Sequence, residues 1–223
     1  MRKFFAVFLL LFLSVFALAS GGDESAPLQE KQINYKNWTF KNLRKENSVD
    51  LRLFATGKKL VLVVYYAAWC PNWHREAPVV ERLYQKYKDK GFDVVAVSEY
   101  ASLEATRKDA SDNKFSFTIV TESESGDDKE KTTHYNYRKA AGDARNWGSP
   151  WNIFLESEKL EKNGDTLTNK TFVVNGELIE TEVDKFIQQK LETSAKQKTI
   201  AVQSFPNKKV EVCVEPTNKI KKP

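Results

Sequence analysis

The sequence predicts an α/β fold with a central mixed sheet flanked by helices. Three observations carry this. Leu60–Tyr66 is an unbroken apolar, β-branched run without alternation, the pattern of a strand buried on both faces. Downstream, Val79, Val80, Leu83, Tyr84 and Tyr87 recur at helical spacing, with Glu81, Arg82, Gln85, Lys86 and Lys88 between them. Phe92–Ser98 is a second apolar run, and strand, long crossover, strand implies parallel pairing with a right-handed connection.

The other elements follow in order. Residues 20–36 are rich in Gly, Ser, Asp, Glu and Gln and read as a disordered leader. Trp38–Leu43 alternates bulky and polar residues, Ser48–Leu53 follows a charged turn, and the two read as an N-terminal β-hairpin or strand pair. The first helix is expected from Asn72 to about Lys90, with Gly91 as its C-terminal stop. Leu103–Lys114 reads as a polar helix and Phe115–Val120 as a short strand or extended segment; residues 121–131 read as a surface loop and 156–170 as a polar insertion. Asn175-Gly176, between Thr171–Val174 and Glu177–Ile179, favours a type I′ hairpin. Glu182–Leu191 closes the domain, with Val183, Phe186, Ile187 and Leu191 on one helix face. The domain is expected over residues 37–193, followed by a linker and short C-terminal extension at 194–223.

Met1-Arg2-Lys3, the apolar run from Phe4 and the exit Ala17-Leu18-Ala19 describe a secretory signal peptide over residues 1–19. The run is marginal against the roughly 20 apolar residues of a membrane span, so an uncleaved anchor is the second reading. Export, to a periplasm or to the outside, is the expectation. Without Arg2 and Lys3 the chain keeps 33 basic against 30 acidic residues, interspersed, with no basic block carrying aromatics; a nucleic-acid partner is disfavoured. Two cysteines, Cys70 and Cys213, are too few for a disulfide scaffold, but an exported compartment is oxidising and supplies thiol–disulfide partners. Asn37-Trp38-Thr39 and Asn169-Lys170-Thr171 match glycosylation sequons, which matter only in a eukaryotic secretory route.

Cys70 stands where the core strand turns into the first helix, with Pro71 suited to the first helical position. Free backbone N–H groups and the positive end of the helix dipole favour a thiolate there; the alternative is a buried, inert small residue. Tyr65-Tyr66-Ala67-Ala68-Trp69-Cys70-Pro71, then Glu76-Ala77-Pro78, resembles the active-site segment of thioredoxin-like proteins of the periplasmic TlpA type, within the wider redoxin group. The resemblance runs from about Trp38 to Leu191 and implies a thioredoxin-like fold. It also implies a cis proline at Pro150, preceded by Ser149, facing the active cysteine and offering backbone groups to substrate.

The departure is Trp73, which occupies the position of the family's second cysteine. In a two-cysteine site the first thiolate forms a mixed disulfide and the second thiol resolves it. With Trp73 there, three readings stand. The first is a monothiol oxidoreductase acting through Cys70, resolved by an external thiol, with protein or small-molecule thiols and disulfides as partners. The second is a one-cysteine peroxidase, which needs only a thiolate and access; but Val63 and Ala67 occupy the proline and threonine positions of the peroxiredoxin pattern. The third is a binding module without turnover, whose groove Trp69, Trp73, Trp147 and Trp151 would line. Against it, most aromatics simply pack. The substrate contacts expected are Trp69, Trp73, Ser149 and Pro150.

Cys213, between Glu211 and Glu215, is expected to be a free or satellite thiol, its neighbours disfavouring the thiolate; the alternative is a bridge to Cys70, which needs Cα atoms within about 7 Å. His74 reads as an exposed polar residue or as a cation favouring the Cys70 thiolate. Glu99 is a strand-end carboxylate or a proton acceptor near the site. With His74 and His134 the only histidines, a metal site is disfavoured, and no cofactor is expected. Oligomeric state is not legible.

Overall fold

The computed structural model describes residues 24–203. Its elements are β1 (Ser25–Ala26), β2 (Gln29–Lys36), β3 (Thr39–Asn42), β4 (Ser48–Asp50), α1 (Leu51–Ala55), β5 (Leu60–Tyr66), α2 (Pro71–Tyr87), β6 (Phe92–Ser98), α3 (Leu103–Asp112), β7 (Thr118–Thr121), α4 (Thr133–Ala140), β8 (Trp151–Glu156), β9 (Thr166–Val174), β10 (Glu177–Leu178) and α5 (Glu180–Gln203). Eight strands form one mixed sheet in the order β2-β9-β8-β5-β6-β7-β3-β4. The pairs β5–β6 and β6–β7 are parallel; β8 and β9 are antiparallel additions on the other side.

Every residue of β5 is buried. Leu60, Leu62, Val64 and Tyr66 face a core that includes residues of α2, α3 and α5; Val61, Val63 and Tyr65 face the opposite core, with Leu51, Ala55 and Trp151. This two-sided burial explains the unbroken apolar run. The expected hairpin forms between β3 and β4. Its second arm then turns into α1, because Asp50 caps that helix by accepting from the Leu53 N–H. The helix expected from Asn72, α2, ends at Tyr87, followed by a single 3₁₀ turn at Lys88–Lys90 and Gly91 at φ 98°.

Three expectations are corrected. The leader is not free of structure: β2 pairs antiparallel with β9, with Ile33 and Tyr35 buried. Period-two alternation in a polar strand, not overall hydrophobicity, carries it. The domain's last helix also runs past residue 193, to Gln203. The Asn175-Gly176 hairpin does not form, since β10 pairs with β1 instead. Neither turn residue has the positive φ a type I′ turn needs; the Asn175 amide is bound to Ala141 O at 3.1 Å and its Oδ1 to Trp151 Nε1 at 2.8 Å. Gly176 is required for another reason: a Cβ there would overlap the Glu24 carbonyl. Gly176→Ala is therefore expected to cost about 1–3 kcal/mol by displacing β1, read as a lower urea midpoint. Cys213 and the signal segment lie outside the described residues.

Candidate active site

The end of β5 and the start of α2 build the site. Cys70 is the N-cap residue of α2, with Pro71 at the first helical position and no side-chain cap bond. Its N–H closes a turn onto Ala67 O at 2.9 Å. The first-turn N–H groups of a helix have no intrahelical partner, so their dipoles point toward the cap residue. The Ser149–Pro150 peptide bond is cis, and the Cys70 thiol donates to Ser149 O at 3.2 Å. The Ser149 hydroxyl in turn accepts from Ala67 N–H at 2.9 Å. Two segments 79 residues apart in sequence are thus fastened at the sulfur. Cys70 is 6% exposed, whereas Trp69 beside it is 44% exposed; the sulfur lies just under the surface.

The aromatic groove is half of what was expected. Trp69 meets Trp147 edge-on at 5.2 Å, and its indole N–H donates to Tyr100 O at 2.9 Å. Trp73 and Trp151 are fully buried and line no groove. Trp73 points inward, tilted against Tyr66 at 4.2 Å and Phe115 at 5.5 Å, and its indole N–H donates to Asp109 Oδ2 at 2.9 Å. It fastens α2 to α3. The cause is helical periodicity: Trp73, Ala77, Val80, Leu83 and Tyr87 make up one buried stripe of α2. Burial raises the Asp109 carboxyl above its ordinary range, opposed by the Trp73 hydrogen bond. His74 is half exposed, with Nδ1 3.6 Å from Asp109 Oδ1.

Glu76 shares that stripe and received no role from the sequence. It is buried, with Oε2 accepting from Leu178 N–H at 2.7 Å and Asn152 Nδ2 at 3.1 Å, while Oε1 has no partner. Burial pushes its carboxyl up to about 8, so it holds a proton at neutral pH. A carboxylate on the apolar stripe of the helix was the signal that could have found it. Glu99 is also fully buried, with both oxygens unpartnered; burial and the neighbouring Glu122 carboxyl raise it well above the carboxylate range.

The loop bearing Pro150 is held by cations and by α4. Arg145 is bound to Asp143 and Glu24 and donates to Pro150 O at 2.8 Å. Buried Arg138 donates to Arg145 O at 2.6 Å and Asn146 O at 2.8 Å. His134 is buried between Tyr100 and Gly148. Among the described residues no group of three or more His, Cys, Asp or Glu could hold a metal.

Residues 36–196 match the family model described as Redoxin. The chain belongs to the Redoxin family. Its fold is thioredoxin-like, as the solved structures it resembles agree. A thiol:disulfide interchange protein of the thioredoxin family from Chlorobium tepidum TLS superposes with TM-score 0.53 at 14% identity, covering 72% of this redoxin and 97% of that chain. A DsbF homologue from Corynebacterium diphtheriae gives TM-score 0.51 at 16% identity, over 78% and 97%. No curated protein matches this sequence significantly.

Proposed function

We propose that this redoxin is an exported thiol–disulfide oxidoreductase that works through Cys70 alone. The observation that carries the reading is the Cys70 sulfur at the N-terminus of α2, 3.2 Å from the carbonyl that precedes cis Pro150. Trp73, buried and bonded to Asp109, stands one helical turn on, where a resolving thiol would be needed.

The chemistry has two exchanges. The Cys70 thiolate attacks one sulfur of a substrate disulfide, forming a new S–S bond and expelling the other sulfur as a thiolate that takes up a proton. An external thiolate then attacks the substrate-side sulfur of the mixed disulfide and returns Cys70 as a thiolate. Ser149 O accepts from the Cys70 thiol in the resting site; loss of the thiol proton removes that donor and leaves both lone pairs of the carbonyl able to accept from a substrate N–H. Ser149 Oγ is engaged by Ala67 and Pro150 O by Arg145. Trp69 supplies the exposed apolar contact, in place of the wider groove.

Export rests on the basic start, apolar run and small-residue exit of residues 1–19; among the described residues no helix is long and apolar enough to cross a membrane. Cys70→Ser should abolish disulfide reduction driven by excess small thiol, while Cys213→Ser keeps it. Full activity in Cys70→Ser would overturn the assignment. Hydroperoxide consumption faster than disulfide exchange would replace it with the peroxidase.

A further inference from the structure

The polar residues of α4 have no part in the exchange steps, yet one of them reaches both segments that flank Cys70. His134 is fully buried and lies parallel to the Tyr65 ring, 5.1 Å away at 7°. Its Nε2 is 3.1 Å from Gly148 O, which can only accept, so Nε2 carries the proton and Nδ1 accepts from the Tyr100 hydroxyl at 3.0 Å. Burial, seconded by the Arg138 cation, lowers this histidine to about 3, which keeps the ring neutral and the tautomer fixed.

What lies at each end matters. Tyr100 has a left-handed backbone at φ 57°, its carbonyl holds the Trp69 indole, and its ring lies 5.5 Å from Trp147. Gly148, at φ 61°, is followed directly by Ser149, whose carbonyl meets the sulfur. Arg138 closes the same loop from below, leaving no room for a Cβ at Gly148.

We propose that His134 is a positioning residue for Cys70: its imidazole ties the Tyr100 turn to Gly148 and so fixes the Ser149 carbonyl against the thiol. The inference rests on Cys70 being the reactive thiol. It adds that reactivity is set partly by a helix which never touches the sulfur.

The test uses the full chain carrying Cys213→Ser, so that the infrared S–H stretching band belongs to Cys70 alone. Two readouts are taken well below the unfolding temperature: that band, and the rate at which Cys70 exchanges with 5,5′-dithiobis(2-nitrobenzoate). His134→Phe keeps a ring on Tyr65 and deletes both hydrogen bonds. The band should move to that of a thiol without a carbonyl partner, and the exchange rate should change about fivefold, the size expected for one neutral hydrogen bond. His134→Gln, whose amide can donate to Gly148 O while its carbonyl accepts from the Tyr100 hydroxyl, should return the rate to within about twofold of the parent, since it restores both ends of the tie. Unchanged band and rate in folded His134→Phe would overturn the proposal, as would no recovery in His134→Gln, which would assign the effect to lost packing. If His134→Phe does not fold, Tyr100→Phe, which deletes only the hydroxyl, must shift both readouts in the same direction; no shift overturns it. A parent chain with the bonded S–H band but no exchange would sink the oxidoreductase reading instead, leaving the strut to be judged by the band.

Discussion

Trp73→Ala is expected to cost the fold about 3–5 kcal/mol, the usual range for emptying a large aromatic site in a core. The side chain is fully buried, touches Tyr66 and Phe115, and is the indole donor to Asp109. Its loss opens a cavity between α2, α3 and β5 and leaves a buried carboxylate short of a donor. Trp73→Phe keeps most of the ring and should cost less. Urea unfolding followed by circular dichroism checks both; a Trp73→Ala loss under about 1 kcal/mol would contradict the packing role. The consequence reaches function. Trp73→Cys would restore the two-cysteine spacing but remove the same indole, so a second thiol there comes with a weakened helix start. The single-thiol site and the α2–α3 contact are one feature of the sequence.

Glu76→Gln is expected to flatten the pH dependence of stability. An unfolded glutamate loses its proton near pH 4.5, and the buried one keeps it to about pH 8. Between those values the unfolded state binds fewer protons, so native stability falls as pH rises; it is fully present below pH 4.5 and levels off above about pH 8. The loss is on the order of 5 kcal/mol across that window. Glutamine has the same shape and no charge to lose. The variant should match the parent near pH 4 and exceed it by that order at pH 8, measured as urea midpoints at each pH. A parent whose stability stays level from pH 5 to 8 would contradict the buried, protonated assignment.

The parts of this fold written in apolar residues were legible. The β5 run, the α2 stripe and the Cys70-Pro71 junction needed only periodicity and capping, and the resemblance located cis Pro150. What escaped is written in polar residues. The residues α4 buries are His134 and Arg138, so no apolar stripe announces it. The strand β2 hides two buried residues, Ile33 and Tyr35, in a run whose composition suggests disorder. Trp73 and Trp151 read as groove residues because they stand beside the motif, although the α2 stripe, extended back one turn, places Trp73 in the core. Asn175-Gly176 has the grammar of a tight hairpin, overridden by bonds from Asn175 to Trp151 and Ala141 that local sequence cannot show.

The most direct test of the single-thiol account is intact-mass analysis of the full chain after exposure to a small disulfide with no added thiol. One adduct should accumulate on Cys70, persist, and leave one-for-one when an external thiol is supplied. No adduct on Cys70, or one that resolves unaided into an intramolecular bond with Cys213, would contradict it.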